Sequence, residues 1–492
     1  MAKGTRTLVT GALASILAWA GAVAATAATI VVNSTAYEPS TPPDGNCTFS
    51  EAIRAAESDA AVDGCAAGNG QDVISVPAGR FVVGPDVQSK LFVVEHDLEI
   101  RGAGPDRTIL DASDGEGGLV DSPDGRPVSL VIRDLTLQNG RDATVWATDV
   151  GRSGVQLTLK NVVIGRDPAH SGTGSGLACH YDALCTVKSS RIENQGDLSF
   201  GGTYGLQGGG IDVYLASVTV EDSVIRGNRA HSGGGALVRA GTLELTRTLV
   251  ADNQAAAIGG GILLLQDFYQ GGSSSEVRVE QSTLTGNSAP QGGGIYVTGG
   301  GLVSASNVTL SGNTADADGG AAAIGPTPFG EGQAGGTLEF ESVTIADNSA
   351  ALGAAVFLAD PELPGFPPNV PPPFPSTVSF RDTLVDGDCY DPRKVGKYIT
   401  GGGNLESPGA TCRLRDKSDR MGVASLGLAP LADNGGSTPT HLPLPWSPAI
   451  DSAPRKSCPA PATDQRGVAR PQDGNGDGRA FCDRGAVEVE RR

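Results

Sequence analysis

The chain has 492 residues, with 36 basic against 55 acidic side chains and a formal charge of −19. That excess argues against a nucleic-acid groove or an anionic membrane surface as partner, since both call for positive potential. Glycine supplies 71 residues and aromatics only 5%. Without a three-residue collagen period, glycine at this level implies many tight turns between short strands.

Residues 1–27 read as an export signal. Lys3 and Arg6 form a positive start, Leu8 to Ala24 is almost wholly apolar, and Ala22-Val23-Ala24 or Ala25-Thr26-Ala27 offers a small-residue cleavage site. Removing this segment takes two basic groups and no acidic one, which leaves −21. Nothing later is long and apolar enough to span a bilayer. The chain is therefore expected to be secreted, with periplasm and cell surface as the other destinations, and to be a monomer with no membrane span after signal removal.

Residues 28–70 are expected to form an N-terminal cap. A short apolar run, ATIVVN, is followed by CTFSEAIRAAES, in which Phe49, Ala52, Ile53 and Ala56 make one helical stripe. Thr48 with Glu51 three residues later is a capping box. The predicted helix would cover the first rung of a stack, because an open sheet end invites pairing with other chains. CTFSEAIRAAES followed by GQDVISVPAGRFVV resembles the CSLREA domain of exported bacterial proteins, with Thr48, Phe49 and Ser50 where the name-giving motif has Ser, Leu and Arg.

From 71 to 385 short β-rich runs alternate with Gly, Asn and Asp. Five of them repeat one sentence: VTVEDSVIRGN, LELTRTLVADN, VRVEQSTLTGN, VSASNVTLSGN and LEFESVTIADN, ending at Asn228, Asn253, Asn287, Asn313 and Asn348. Between the copies lies a glycine phrase such as GGGIDV or GGGIYV. A unit of this size cannot bury its apolar face alone, so the copies must stack. Val218/Val220, Leu243/Leu245, Val277/Val279 and Leu338/Phe340 alternate with Thr219, Glu244, Arg278 and Glu339, which is the period of a half-buried strand. In the glycine phrase Ile211/Val213, Ile262/Leu264 and Ile295/Val297 do the same. Two short strands per repeat with constant polarity predict parallel stacking with right-handed crossovers. The expected fold is an all-β, right-handed parallel β-helix. A propeller fits less well, since blades of about 40–45 residues do not match Asn spacings of 25, 34, 26 and 35.

The recurring asparagines could form a ligand row, but stacked amides that bond the copies above and below account for them more simply, and Asn tolerates a left-handed turn. The glycines supply turns and close contact, and no phosphate-binding arrangement lies between a strand and a helix. The phrasing of LTGNSAPQGGGIYV and LSGNTADADGGAAA also resembles the repeats of chlamydial polymorphic outer-membrane proteins, which act in adhesion. Those have a Phe three residues before the Asn, where this chain has Ile225, Val250, Leu284, Leu310 and Ile345.

The uneven spacing comes from insertions that leave the stack after the glycine phrase, at 266–275, 325–336 and 360–376. On a β-helix they should line up on one face, and insertions on one face are often the binding face. They carry aromatics beside acids: Asp267, Phe268 and Tyr269; Phe329 and Glu331; Glu362, Phe366 and Phe374. Such planes beside carboxylates suit a polysaccharide or a protein partner, or they pin long loops to the helix wall.

Residues 386–492 change character. LADNGG, THLP, SPAID, TDQRGVARP and CDRGAVE closely resemble the choice-of-anchor Q region, after which different anchors follow in that family. Arg492 is reached without one, so surface attachment is not implied. Eight cysteines fall into four close pairs: Cys47 with Cys65, Cys179 with Cys185, Cys389 with Cys412, and Cys458 with Cys482. Local disulfides are the economical expectation in an exported chain. DGNGDG offers Asp473, Asn475 and Asp477 at calcium-loop positions. Arg484 stands where the bidentate acid belongs, so Asp483 would have to substitute. The alternative is an Asx-Gly turn closed by Cys458–Cys482.

β-Helix folds also host polysaccharide lyases, hydrolases and epimerases. The chain lacks a WIDH-like run and the NTD, DD, GHG and RxK set, and RDPAH (Arg166 to His170) only approaches the DPHE of alginate epimerases. Asp316/Asp318 and Asp111/Asp114 read as solvated turn residues. His180, Tyr181 and Asp182 lie in the small Cys179–Cys185 loop, expected to be rigid and exposed, where a His–Asp pair could do acid–base work. His231 beside Arg226, Asn228 and Arg229 is another polar knot in a turn. The catalytic residues are thus unassigned, and fold alone does not assign function. Non-catalytic binding or adhesion is the expected role, with a lyase, hydrolase or epimerase as the alternative. Acidic and basic side chains converging in one groove would favour the enzyme, and an uncharged wall with aromatic loops would favour binding.

Overall fold

The computed structural model describes residues 27–36, 43–82, 90–113, 115–121, 125–149, 151, 153–167, 174–198, 208–265, 275–326, 335–359, 376–392, 394, 396–456, 458 and 461–491. Their strands stack in parallel into sheets of 23, 11 and 4 strands. A regular coil runs through Ser217–Glu221, Val224–Arg226, Arg229–Ser232 and Ala236–Arg239 before the next begins at Thr242–Thr246. Four strands per coil replace the two expected. The cause is a left-handed residue that bends each sentence in its middle: Asp222, Arg247, Gln281, Asn307 and Ser342 all have φ between 47° and 54°. A second bend precedes each asparagine, at Gly227, Asp252, Gly286, Gly312 and Asp347. The left-handed residue is therefore the neighbour of the asparagine, not the asparagine itself.

Alternation within strands is as expected. Val218, Val220, Leu243, Leu245, Val277, Val279, Leu338 and Phe340 point inward and are 0–1% exposed, and the glycine-phrase pairs from Ile211 to Val297 are fully buried. These side chains join one continuous core. The asparagines form a ladder inside the turn. Asn253 donates from its main-chain N–H and from Nδ2 to Asn287 Oδ1, and Asn287 repeats both bonds to Asn313. A parallel Ser/Thr ladder occupies the earlier bend, where Ser190 N–H donates to Ser223 and Thr248 N–H to Ser282.

The helix Phe49–Ser58 caps the first coils, with both capping-box bonds between Thr48 and Glu51 in place. Its stripe Phe49, Ala52, Ile53 and Ala56 is buried, and Phe49 meets Phe92 edge-on at 6.4 Å between ring centroids. Strand Thr29–Val31 already pairs with Asp72–Ser75. At the other end Lys397–Gly402 and Leu405–Ser407 still add to the large sheet, so the solenoid runs on past residue 385.

The four local disulfides are formed as expected. Cys47 is bonded to Cys65, Cys179 to Cys185, Cys389 to Cys412, and Cys458 to Cys482. Cys47 and Cys65 are buried, and their bridge closes the segment that carries the capping helix. Cys389 and Cys412 are buried too, and all four of these cysteines belong to the solenoid core. The bridges thus fasten both ends of the stack from inside, as well as closing loops.

The C-terminal region then folds back along the second strand of several coils. Thr283 Oγ1 donates to Pro439 O, Thr309 Oγ1 to Gln465 Oε1, and Asn307 Nδ2 to Thr463 O. Ser311 Oγ meets His441 Nε2 at 2.8 Å, and Ala486 N–H donates to Thr344 Oγ1. This covers one outer wall of the solenoid and leaves the preceding strand of each coil, in the same sheet, open.

Candidate functional site

The open wall carries a trough of about 550 Å³ across five consecutive coils. Its floor is the outward face of Glu276–Glu280, Gly301–Ser306, Gly336–Glu341, Ser376–Arg381 and Lys397–Gly402. Because side chains alternate along a strand and the coils stay in register, outward residues form straight rows. One row is Arg278, Ser304, Glu339, Ser379 and Ile399. Another is Glu280, Ser306, Glu341 and Arg381. Rungs lie about 4.8 Å apart, which places polar groups on four successive rungs along the solenoid axis, the fifth presenting Ile399 and Gly402.

The charges in the trough are tied to one another. Arg278 Nε donates to Glu276 Oε1 at 2.7 Å, Arg381 Nη1 to Glu341 Oε1 at 2.8 Å, and Ser304 Oγ to Glu339 Oε2 at 3.0 Å. With Glu280, four carboxylates face two guanidiniums. Toward the N-terminus the row of Glu280 continues through Thr246 and Glu221 and then turns basic, through Lys188, Lys160, Arg133 and Arg101. Lys188 pairs with Glu221 at 3.2 Å, and Arg133 with Glu99 and Asp134. The trough is thus the acidic end of a graded wall.

The insertions attach beside this floor. They follow Ile262–Leu265, Ala322–Ile324 and Val356–Leu358, which belong to the 11-stranded sheet, with Leu264, Ile324 and Leu358 on one stacked line through Val297. Each rejoins at a floor strand, at Glu276, Gly336 or Ser376. Their departure points share one face, as expected from the repeat. Asp267, Phe268, Tyr269, Phe329, Glu331, Glu362, Phe366 and Phe374 lie outside the described residues, as do Asp114, His170 and residues 1–26 of the expected export signal.

The Cys179–Cys185 turn differs from its expectation. Tyr181 and Asp182 adopt left-handed backbone, but His180 ends the strand Ser175–His180 and is largely buried. Its acidic partner is not Asp182 next door but Asp212, one coil on, at 3.4 Å from Nε2. Arg239 approaches the same carboxylate at 3.5 Å and stacks on Tyr214 at 4.8 Å. Burial pushes the Asp212 carboxyl up, but the charges of Arg239 and His180 outweigh it and hold the group below its ordinary value. Trp146, Tyr181 and Tyr214 surround the imidazole edge-on, with centroids 5.5–6.1 Å away. Sequence spacing could not find Asp212 or Arg239, because register alone brings them to His180.

The other candidates are placed separately. Asp111 is buried and accepts from Arg80, Gln138 and Asn139. Asp318 accepts from Gln291, and Arg166 donates to Gly140 O. Asn228 belongs to the ladder, Arg226 pairs with Asp252, and burial lowers the pKa of His231. In the C-terminal loop Asp473, Asn475 and Asp477 accept from main-chain N–H groups of Gly478, Asp477 and Arg479. Asp483 is buried and accepts from Asp451 and Val489. Burial, then Glu488 beside it, push its carboxyl up to about 7. These bonds are those of Asx turns and an interior carboxylate. Among the described residues no three His, Cys, Asp or Glu side chains gather as a metal site, and no helix is long and apolar enough to cross a membrane.

Comparison with known proteins agrees with the chain path. A family described as a right-handed beta helix region matches residues 127–325. The fold is a right-handed parallel β-helix. No curated protein matches. Among solved structures, a pectate lyase aligns at 13% identity over 94% of this chain and 97% of its own, with a TM-score of 0.39. The A-module of an Azotobacter vinelandii mannuronan C-5 epimerase aligns at 12% identity over 68% and 91%, with a TM-score of 0.30. The catalytic domain of a GH87 α-1,3-glucanase aligns at 14% identity over 68% and 64%, with a TM-score of 0.32. At these values no property of those proteins is transferred to this one.

Proposed function

We propose that this is an exported, non-catalytic β-helix protein that binds an extended ligand, a neutral glycan or a protein segment, along the trough. The reading rests on one observation: an open channel with polar groups in register over four coils and an apolar fifth rung at Ile399, beside which three aromatic-bearing insertions rejoin the solenoid. Both charge signs converge there, as an enzyme would require, but the pairing pattern favours recognition. Each guanidinium is already neutralised by a lateral carboxylate, and Arg278, Glu276, Arg381 and Glu341 are 30–56% exposed. Acid–base catalysis calls for carboxyl groups whose environments are pushed apart by burial. The net acidity also disfavours a polyuronate, whose charge would be repelled.

Glycan-array and immobilised-protein binding test this reading. Replacing Phe268, Phe329 and Phe366 together by Ala, or Glu339 and Arg381 by Gln, is expected to weaken binding at least about tenfold, the loss of one good contact. Unchanged binding in both variants sinks the proposal. An unsaturated, ultraviolet-absorbing product released from any glycan would show a lyase instead.

A further inference from the structure

On the 11-stranded sheet the outward position occupied by Asp212 is filled in neighbouring coils by Trp146, Ala178, Leu237 and Leu263. Asp212 is the charged exception among them and is only 2% exposed. Burying a carboxylate where other coils place apolar groups costs desolvation energy. Its compensation is incomplete, since His180 and Arg239 stand at 3.4 and 3.5 Å, beyond the 2.7–2.9 Å of a strong charge-assisted bond. His180 Nε2 and Arg239 Nε make no hydrogen bond among the described residues. A half-satisfied polar island in an apolar face leaves bonding capacity that a ligand can complete. Beside it Trp146 and Tyr181 leave 39% and 37% of their surfaces in solvent, and His180 braces both edge-on.

We propose that Trp146 and Tyr181, set over the His180–Asp212–Arg239 chain, form a second binding site, for a neutral pyranose ring. Exposed aromatic planes accept the apolar face of a sugar ring. The fixed Arg239–Asp212 pair supplies a donor and an acceptor of defined direction for hydroxyl groups. Neutrality follows from charge. Asp212 and Arg239 cancel, a uronate would meet the Asp212 carboxylate, and an amino sugar would compete with Arg239 for it. This site lies on a different sheet from the trough, so each stands or falls alone.

Calorimetry and saturation-transfer NMR on the full chain, with neutral gluco-, manno- and galacto-oligosaccharides and an oligogalacturonate as anionic control, provide the test. At least one neutral oligosaccharide is expected to bind. Trp146→Ala and Tyr181→Ala are each expected to weaken it about tenfold, the size of one lost stacking contact, and Asp212→Asn to weaken it as well. Trp446→Ala, which removes another exposed indole, should leave it unchanged. Absence of binding to every neutral sugar, preference for the oligogalacturonate, or a calorimetric number of sites that Trp146→Ala does not reduce would overturn the proposal. The two exposed aromatic variants keep this decisive even if Asp212→Asn fails to fold.

Discussion

Asn287 shows how much one amide carries in a stacked turn. Its Oδ1 accepts two bonds from Asn253, and its Nδ2 donates to Val250 O and Asn313 Oδ1. Asn287→Ala strands buried partners in two coils, each unsatisfied group costing about 1–3 kcal/mol. A loss of roughly 3 kcal/mol in urea unfolding is expected, against under about 0.5 kcal/mol for Thr219→Ala, an outward-facing, half-buried position of the wall. Asp483 is the opposite case, a carboxyl that the fold keeps protonated. Its folded pKa is raised from 3.8 to about 7. Below 3.8 both states hold the proton. As pH rises toward 7 the unfolded chain releases it first, so stability falls across this window and the whole penalty is present above about 7. Burial raises Glu488 and Asp386 in the same direction. Thermal unfolding of the C-terminal region should therefore come at lower temperature near pH 8 than near pH 5, with Asp483→Asn flattening that slope. An unchanged slope in the variant would assign the effect to other groups.

At the scale of the element, the coil is set by the pairing of glycine with close approach. A Cβ built on Gly261 would lie 2.4 Å from Gly294 O, and one on Gly260 would lie 2.5 Å from Gly293 O. These turns stack so closely because neither position carries a Cβ that would meet the carbonyl oxygen of the next coil. Gly261→Ala is expected to cost at least about 2 kcal/mol through backbone displacement, read as loss of soluble protein or a lowered urea midpoint. At Gly125 nothing lies within 4 Å of the Cβ position and only the left-handed backbone resists a side chain, so Gly125→Ala should cost about 1 kcal/mol. The N-terminal helix was legible because Thr48, Glu51 and the apolar stripe agree on its start and its buried face. The second and third strands of each coil were not, because runs as short as Val224–Arg226 have no period of their own. The bends that create them sit on Asp, Arg, Gln, Asn or Ser, with no common residue to read.

At the scale of the molecule, the returning C-terminal region decides which walls are free. Gln465 is its main fastener. It accepts from Thr309 Oγ1 and donates to Thr283 Oγ1 and Thr438 Oγ1. Gln465→Ala is expected to loosen this wall by roughly 2 kcal/mol, so that limited proteolysis cuts the C-terminal region earlier. Hydrogen exchange of the buried ladder through Val277 and Leu338 should stay slow. If the whole solenoid exchanges faster together, the region is part of the fold's core rather than a cover.

The division between what was legible and what was not follows from range. Repeat, alternation, capping box and cysteine pairing are local patterns, and they were enough to determine a capped, disulfide-bonded parallel β-helix with insertions on one side. The trough needed five coils in register. The His180–Asp212–Arg239 chain joins three, and the covered wall brings together residues 130 or more positions apart. Such meetings depend on how many residues each turn and insertion consumes, a sum taken over the whole solenoid that no single stretch of sequence displays.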